Sequence, residues 1–263
     1  MANSDSSKDI VFITGVKPPL WKNGKITDGN LAFCLVTELL SQGRLVLVHT
    51  HQRGYVEKIT TNIPKEQRIG IVAHIVGDLT DNHVIESLRS QLESLRFRYP
   101  NDPNAKVSAL IATVGPFPDD PFASITTQSV SKLMKANTQT AQNPWNALVS
   151  SKVLTPDPCL VTFSVTTVEE MAQRVIQPSA RAYAQAKLGL EKWTREVNEE
   201  LQNRELKGVA VCFRVSVMQG SRLPPNIGIS DVISLKDATR QVLGVVFGVR
   251  RASAPVLVMR KLF

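Results

Sequence analysis

The sequence predicts an α/β fold: a doubly wound parallel sheet of about seven strands with helices on both faces. Three observations predict it. Short runs of almost purely apolar, often β-branched residues recur along the chain. Longer segments with apolar residues at helical spacing separate them. The two kinds alternate from end to end. A strand that is apolar at every position, not at every second one, is covered on both of its faces. The chain has 263 residues, 43% hydrophobic and 21% charged. It therefore reads as one domain over residues 1–263, large enough to bury a substantial core, with residues 1–8 as a flexible polar tail.

The elements follow in order. Ile10-Val11-Phe12-Ile13 forms the first strand and ends at Thr14-Gly15. Leu31, Leu35 and Leu39, with Ala32, Val36 and Leu40 beside them, mark the first helix, which Gly43 closes. Leu45-Val46-Leu47-Val48 is the second strand and Ile69 to Val76 the third, followed by a helix from Asp81 to Arg98. Val107 to Ala112 is the fourth strand, before a helix over 127–150. Leu160-Val161-Thr162-Phe163 is the fifth strand, 180–203 a long helix, and Val209 to Val215 the sixth strand. A last helix over 232–248 leads into Val256-Leu257-Val258-Met259. The Pro- and Asp-rich segments 99–104 and 154–158 read as turns. There is no internal repeat and no low-complexity segment.

The net charge of +8 comes from 31 Lys and Arg scattered among 23 acids, without a basic run. This favours a small anionic ligand over nucleic acid. Cys34, Cys159 and Cys212 lie far apart in apolar runs, which makes neither a metal spacing nor a disulfide framework. The polar start carries no signal-peptide pattern, and no apolar run reaches membrane length. The expectation is a soluble cytoplasmic protein with no membrane partner and no metal.

The first strand and helix are joined by T-G-V-K-P-P-L-W-K-N-G-K-I-T-D-G-N, residues 14–30. In an open α/β sheet, this is where the phosphates of a dinucleotide meet a helix N-terminus. Gly15 and Gly29 are candidates for close backbone approach, with Asn30 as a small polar neighbour. Their wide separation also allows a long loop with ordinary turn glycines. The second strand ends in H-T-H-Q-R, residues 49–53, with no acid before Glu57. A carboxylate there would hold ribose hydroxyls and repel a 2′-phosphate, whereas Arg53 can fork onto that phosphate and His51 can donate to it. The reading is NADP(H), the alternative a solvated basic loop. Asp78 and Leu79, after the third strand, suit an adenine contact, although Asp in this place is also a common helix cap.

Tyr183 and Lys187 stand at i and i+4 and share one face of a helix whose Leu190, Trp193, Val197 and Leu201 form the packed side. An ammonium close to a phenol is expected to lower the phenol pKa and make it a usable acid or base. Ser164 ends the fifth strand in L-V-T-F-S, and Asn137 lies in the helix L-M-K-A-N-T-Q-T.

Taken together, these residues resemble the short-chain dehydrogenase/reductase family, with its Rossmann-type fold, over roughly residues 8–260. The resemblance runs through Thr14-Gly15, Asp78, Ala112-Thr113-Val114-Gly115, Asn137, Ser164, Tyr183 and Lys187. The stretched first loop is similar to enoyl-thioester reductases and to the ketoreductase domains of fungal fatty-acid synthases. The tyrosine spacing is more like that of carbonyl reductases. The resemblance implies that Tyr183 protonates a developing alkoxide and that Lys187 holds the nicotinamide ribose. It also implies that Ser164 binds the substrate oxygen and that Asn137 holds a water linking Lys187 to solvent. Thr113 and Gly115 join the cofactor-binding set. A-T-V-G stands where the family has an Asn-Ala-Gly pattern. Ser164 and Tyr183 are unusually far apart, and the added segment T-T-V-E-E-M-A-Q-R-V-I-Q-P is expected to shape the substrate pocket. Ser216-Val217 replaces a Pro-Gly step, so the carboxamide would meet Val217 or Met218, or Gly220 and Ser221. Residues 220–231 read as a short lid.

Three functions compete. The first is an NADPH-dependent reductase of a C=O or C=N bond in a small or medium apolar substrate of specialised metabolism. The second is a non-redox isomerase or cyclase that uses Tyr183 as a general acid. The third is a nucleotide sensor without turnover, which has no use for Tyr183 and Lys187 together. The family resemblance further implies a homodimer or homotetramer built on the helices at 127–150 and 180–203.

Overall fold

The computed structural model describes residues 9–22, 25–28, 30–98, 106–115, 126–166, 178–203, 207–215, 217–218, 232–248 and 255–259. Its centre is a seven-stranded sheet formed by β1 (Ile10–Thr14), β4 (Leu45–Thr50), β5 (Ile71–Val76), β6 (Val107–Ala112), β7 (Leu154–Val165), β8 (Val209–Val215) and β11 (Val256–Val258). The order is β11-β8-β7-β6-β1-β4-β5, and every neighbouring pair is parallel. The chain winds outward from β1 to β5, then crosses back to β6 on the other side of β1. The switch point therefore lies at the carboxyl ends of β1 and β6, where ligands of such sheets bind.

The apolar runs are explained by two cores. Along β1 every residue is buried, and its side chains alternate between faces. Val11 and Ile13 join one core with Leu35 and Leu39 of α1 (Leu31–Ser41), Ile59 of α2 (Gly54–Thr61) and Val242 of α6 (Leu235–Val246). Ile10 and Phe12 join the other core. There they meet Leu88 and Leu92 of α3 (Asn82–Arg98), Trp145 and Leu148 of α4 (Thr127–Ser150), and Val197 and Leu201 of α5 (Pro178–Asn203). Each such aliphatic side chain contributes roughly 1.5–3 kcal/mol by leaving water, so a polar substitution on either face of β1 would break the fold.

The helix α2 fills a stretch for which no element was expected, and four other features depart from the expected layout. First, the loop after β1 contains an antiparallel hairpin of β2 (Leu20–Lys22) and β3 (Lys25–Asp28), with Trp21 opposite Ile26. Second, residues 65–70 form a 3-10 turn, so the third parallel strand begins at Ile71 and leaves Ile69 87% exposed. Third, the segment 154–158 lies within β7 and is not a turn. The ladder there jumps from Val107↔Leu154 to Ala109↔Cys159, skipping the Pro156 stretch, which lacks an N–H to donate. Fourth, the last helix is shorter than expected. Residues 232–233 are strand β10, parallel to β9 (Val217–Met218), and Ser234 starts α6 by accepting from Asp237 N at 3.0 Å.

Cys34, Cys159 and Cys212 carry free thiols. Among the described residues, no helix is long and apolar enough to cross a membrane.

Candidate active site

The carboxyl end of β1 is bound to both neighbouring strands. Gly15 has φ +75°, a left-handed conformation that favours glycine. A Cβ there would meet Thr113 Oγ1 at 2.7 Å and Val114 Cγ2 at 2.9 Å. Thr113 Oγ1, beyond β6, donates to the carbonyl of Thr14. On the β4 side, the N–H of Gly15 donates to Nδ1 of His49 at 3.1 Å. Gly15 is thus required by contact between strand ends, and its N–H is held by His49 instead of facing the crevice. Asn30 caps α1, accepting from Phe33 N at 3.2 Å, and its Nδ2 donates to the Gly15 carbonyl at 3.4 Å. The N-terminus of α1 is therefore tied to the end of β1, as a phosphate site at this crevice needs.

The expected adenosine side lies at the ends of β4 and β5. His51 and Arg53 are exposed on the turn into α2, free of the core. Arg53 also borders an open cavity of ≈ 530 Å³ between α2 and β5, lined in part by Glu57, Thr60 and His74. This cavity lies across β1 from Tyr183 and Lys187, on the β4–β5 side of the sheet. Asp78 is exposed, and its Oδ1 accepts from Thr80 N and Thr80 Oγ1, both at 2.9 Å. Partial burial pushes its carboxyl pKa up. The Thr80 hydrogen bonds and the nearby His51 and His49 outweigh that effect and leave the pKa lowered. Leu79 corrects an expectation: its side chain is 1% exposed in the core under α3, with no face to offer a ring.

The chemical residues converge from three elements at the end of β7. Lys187, on α5 and 4% exposed, donates from Nζ to the Phe163 carbonyl at 3.1 Å, one residue before Ser164. The same Nζ lies 5.5 Å from the centroid of the Tyr183 ring. Gly115 brings the loop after β6 to this point: a Cβ there would collide with Lys187 Nζ and lie 2.8 Å from Asn137 Oδ1. Asn137, fully buried in α4, donates from Nδ2 to the Leu133 carbonyl at 3.0 Å. Ser164 Oγ is buried and has no hydrogen-bond partner among the described residues. A buried hydroxyl in that state is costly unless a ligand or water completes it.

The electrostatics correct the expected tyrosine. Burial pushes the Tyr183 phenol up to about 12 instead of lowering it. Loss of water around the buried ring is the cause, and burial likewise lowers the Lys187 pKa, to about 8. Burial therefore favours the protonated phenol at neutral pH.

Three residues that position the site were not among the sequence candidates. His49 is one. Glu191 and Arg214 are the others: the Glu191 carboxylate receives Arg214 Nε at 2.9 Å and Nη2 at 2.7 Å. Glu191 lies one turn beyond Lys187, and Arg214 is the register partner of Ser164 across β7–β8. Thr194 completes the docking of α5, with its Oγ1 2.9 Å from Thr162 Oγ1 on β7. A signal was present in the sequence: single charged or imidazole groups interrupt the runs L-V-L-V-H-T and V-A-V-C-F-R-V.

Gly29, Ser221, the segment before the α5 helix and the expected lid lie outside the described residues. Val217 is described in its backbone, as the β9 partner of Val232.

No protein-family model and no curated protein sequence matches the chain. Solved structures do. A candidate dehydrogenase of Burkholderia cenocepacia with bound NADP is similar at a TM-score of 0.68 and 17% identity, covering 95% of this chain and 91% of that one. A short-chain dehydrogenase/reductase of the glucose/ribitol type from Brucella melitensis gives 0.70 at 11% identity, covering 97% and 95%. An NADH-dependent enoyl-[acyl-carrier-protein] reductase from Aquifex aeolicus gives 0.68 at 12%, covering 95% and 94%. Strand order, switch point and these likenesses agree: the chain has the fold of the short-chain dehydrogenases/reductases.

Proposed function

We propose that the protein is an NADPH-dependent reductase acting on a C=O or C=N bond of a small or medium apolar substrate, in specialised metabolism. The observation that carries this reading is the meeting of Lys187, the Tyr183 ring, Asn137 and Gly115 beside the unpartnered Ser164 hydroxyl. The NADP in the Burkholderia neighbour and the NADH named for the Aquifex enzyme indicate that the fold accepts either nucleotide. Selection then falls to the end of β4, where Arg53 and His51 are exposed and no acid precedes Glu57.

The residues present fit such a nucleotide. The N-terminus of α1, held to Gly15 by Asn30, would face the pyrophosphate, with Gly29 beside it. Arg53 and His51 would hold the 2′-phosphate and Asp78 the adenine amine. Thr113 would border the crevice through its backbone. Lys187 would hold the nicotinamide ribose, with Gly115, Val217 and Ser221 near the ring. NADPH, when bound, supplies the hydride that adds to the substrate carbon.

As the carbon–oxygen π pair moves onto oxygen, Tyr183 donates its hydroxyl proton there. A phenol near 12 is fully protonated beforehand, which suits this direction of reaction. Ser164 Oγ donates to the same oxygen, stabilising charge that grows only in the transition state. Lys187, near 8, can release and recover a proton close to neutral pH and so return one to Tyr183. Asn137 would hold the water that connects Lys187 to solvent. The chain is proposed to work in the cytoplasm as one domain, in a homodimer or homotetramer, without nucleic acid or membrane.

The test is NADPH binding by fluorescence, followed by turnover of a carbonyl panel. Tyr183→Phe should bind NADPH normally and lose on the order of 10²–10⁴ in kcat. Turnover of a substrate without NADPH consumption would move the assignment to an isomerase or cyclase.

A further inference from the structure

His49 occupies a place that neither the chemistry nor the core requires. It is the penultimate residue of β4, 2% exposed, in a strand otherwise filled by Leu and Val up to Thr50. Its ring spans the tips of three strands. Nδ1 accepts the N–H of Gly15 at 3.1 Å, just beyond β1. A backbone N–H can only donate, so Nδ1 carries no proton and the neutral ring carries its proton on Nε2. That Nε2–H donates to the Gly77 carbonyl, just beyond β5, at 2.9 Å. The backbone follows the same path: Val16 N donates to the His49 carbonyl at 2.9 Å, and Gly77 N donates to the Thr50 carbonyl at 3.1 Å.

Both residues that the ring holds have positive φ, +75° for Gly15 and +130° for Gly77. Each is where the chain leaves the sheet and turns into a wall of the crevice. Gly15 leads to the phosphate side and its tie to Asn30, and Gly77 leads directly to Asp78 on the adenosine side. Two titratable side chains act electrostatically on the ring, His51 and Asp78.

We infer that His49 is a positioning residue for the dinucleotide: its neutral Nε2–H imidazole sets the spacing between the phosphate wall at Gly15 and the adenosine wall at Gly77. This rests on the crevice holding NADP(H). Because the clamp lies under the parts common to both nucleotides, its loss weakens NADPH and NADH alike. Loss of Arg53, by contrast, discriminates between them. Burial lowers the imidazole pKa to about 4, consistent with a ring that stays neutral.

Three variants separate the two hydrogen bonds. Asn places an acceptor where Nδ1 stands, Gln places a donor where Nε2 stands, and Phe keeps the ring shape with neither. Fluorescence titration with NADPH and NADH should show His49→Phe weakened roughly tenfold for both, the fold-change of one lost buried hydrogen bond or more. His49→Asn and His49→Gln should each recover part of the loss, with melting curves confirming folded protein. In the unsubstituted chain, ¹⁵N NMR should show Nδ1 bare and Nε2 protonated from about pH 8 down to about pH 5. That measurement and the two polar variants carry the test if His49→Phe does not fold.

Wild-type binding with affinity unchanged within about twofold in folded His49→Phe would overturn the inference alone, as would an Nδ1–H tautomer. Failure of the wild type to bind either nucleotide would overturn the proposed function, and this inference with it.

Discussion

Glu191 and Arg214 form a two-point ion pair across the interface between α5 and β8, with Glu191 1% exposed at its centre. Arg195, a second cation on Glu191, is half exposed and 3.6 Å away. The pair links the helix of Tyr183 and Lys187 to β8, where Arg214 is the register partner of Ser164.

Removing one partner leaves a buried charge. Arg214→Met should cost roughly 3–5 kcal/mol of unfolding free energy, read from urea denaturation. The double variant Glu191→Met with Arg214→Met should recover most of it, because desolvated charge is then absent. The double variant should be stable but slower in turnover, because α5 is no longer held to β8 at Arg214.

Gly115→Ala introduces a Cβ into the space of Lys187 Nζ and Asn137 Oδ1. Both are buried, so crowding of about 1–3 kcal/mol is expected from differential melting. A second effect should be lower kcat, because Lys187 must give up either Phe163 or its place over Tyr183.

His49 predicts acid sensitivity. Its pKa is lowered from 6.5 to about 4 by burial. Below 6.5 the unfolded chain binds a proton that the folded chain refuses, so stability falls with pH. The contribution is fully present above 6.5 and lost progressively down to pH 4, and it amounts to about 3 kcal/mol. His49→Asn should lack this part of the pH dependence, as urea midpoints across the window would show.

Arg53→Ala should weaken NADPH by roughly 10–100-fold, the range of a lost charge-assisted contact, and leave NADH nearly unchanged. Equal weakening of both in a fluorescence titration would refute the 2′-phosphate assignment.

What the sequence determined by itself was the pattern of burial. Continuous apolar runs such as I-V-F-I specify strands covered on two faces, and helical spacing specifies what covers them. These are local and periodic signals, so the sheet and the other helices were legible, whereas the short helix α2 was not expected. The hairpin at residues 20–28, the strand character of 154–158 and the 3-10 turn before Ile71 were not. Each arises from strand pairing or turn geometry that local composition does not reveal.

Only the tertiary structure decided the electrostatics. The spacing of Tyr183 and Lys187 suggested an acidified phenol, yet the folded chain keeps it protonated near 12. The reason is that a pKa depends on where an ammonium points and how much water remains. Those are properties of packing between α5 and β7, not of separation along a helix. Likewise His49 joins Gly15 and Gly77 across 34 and 28 positions of chain, a relation that exists only once three strands lie side by side.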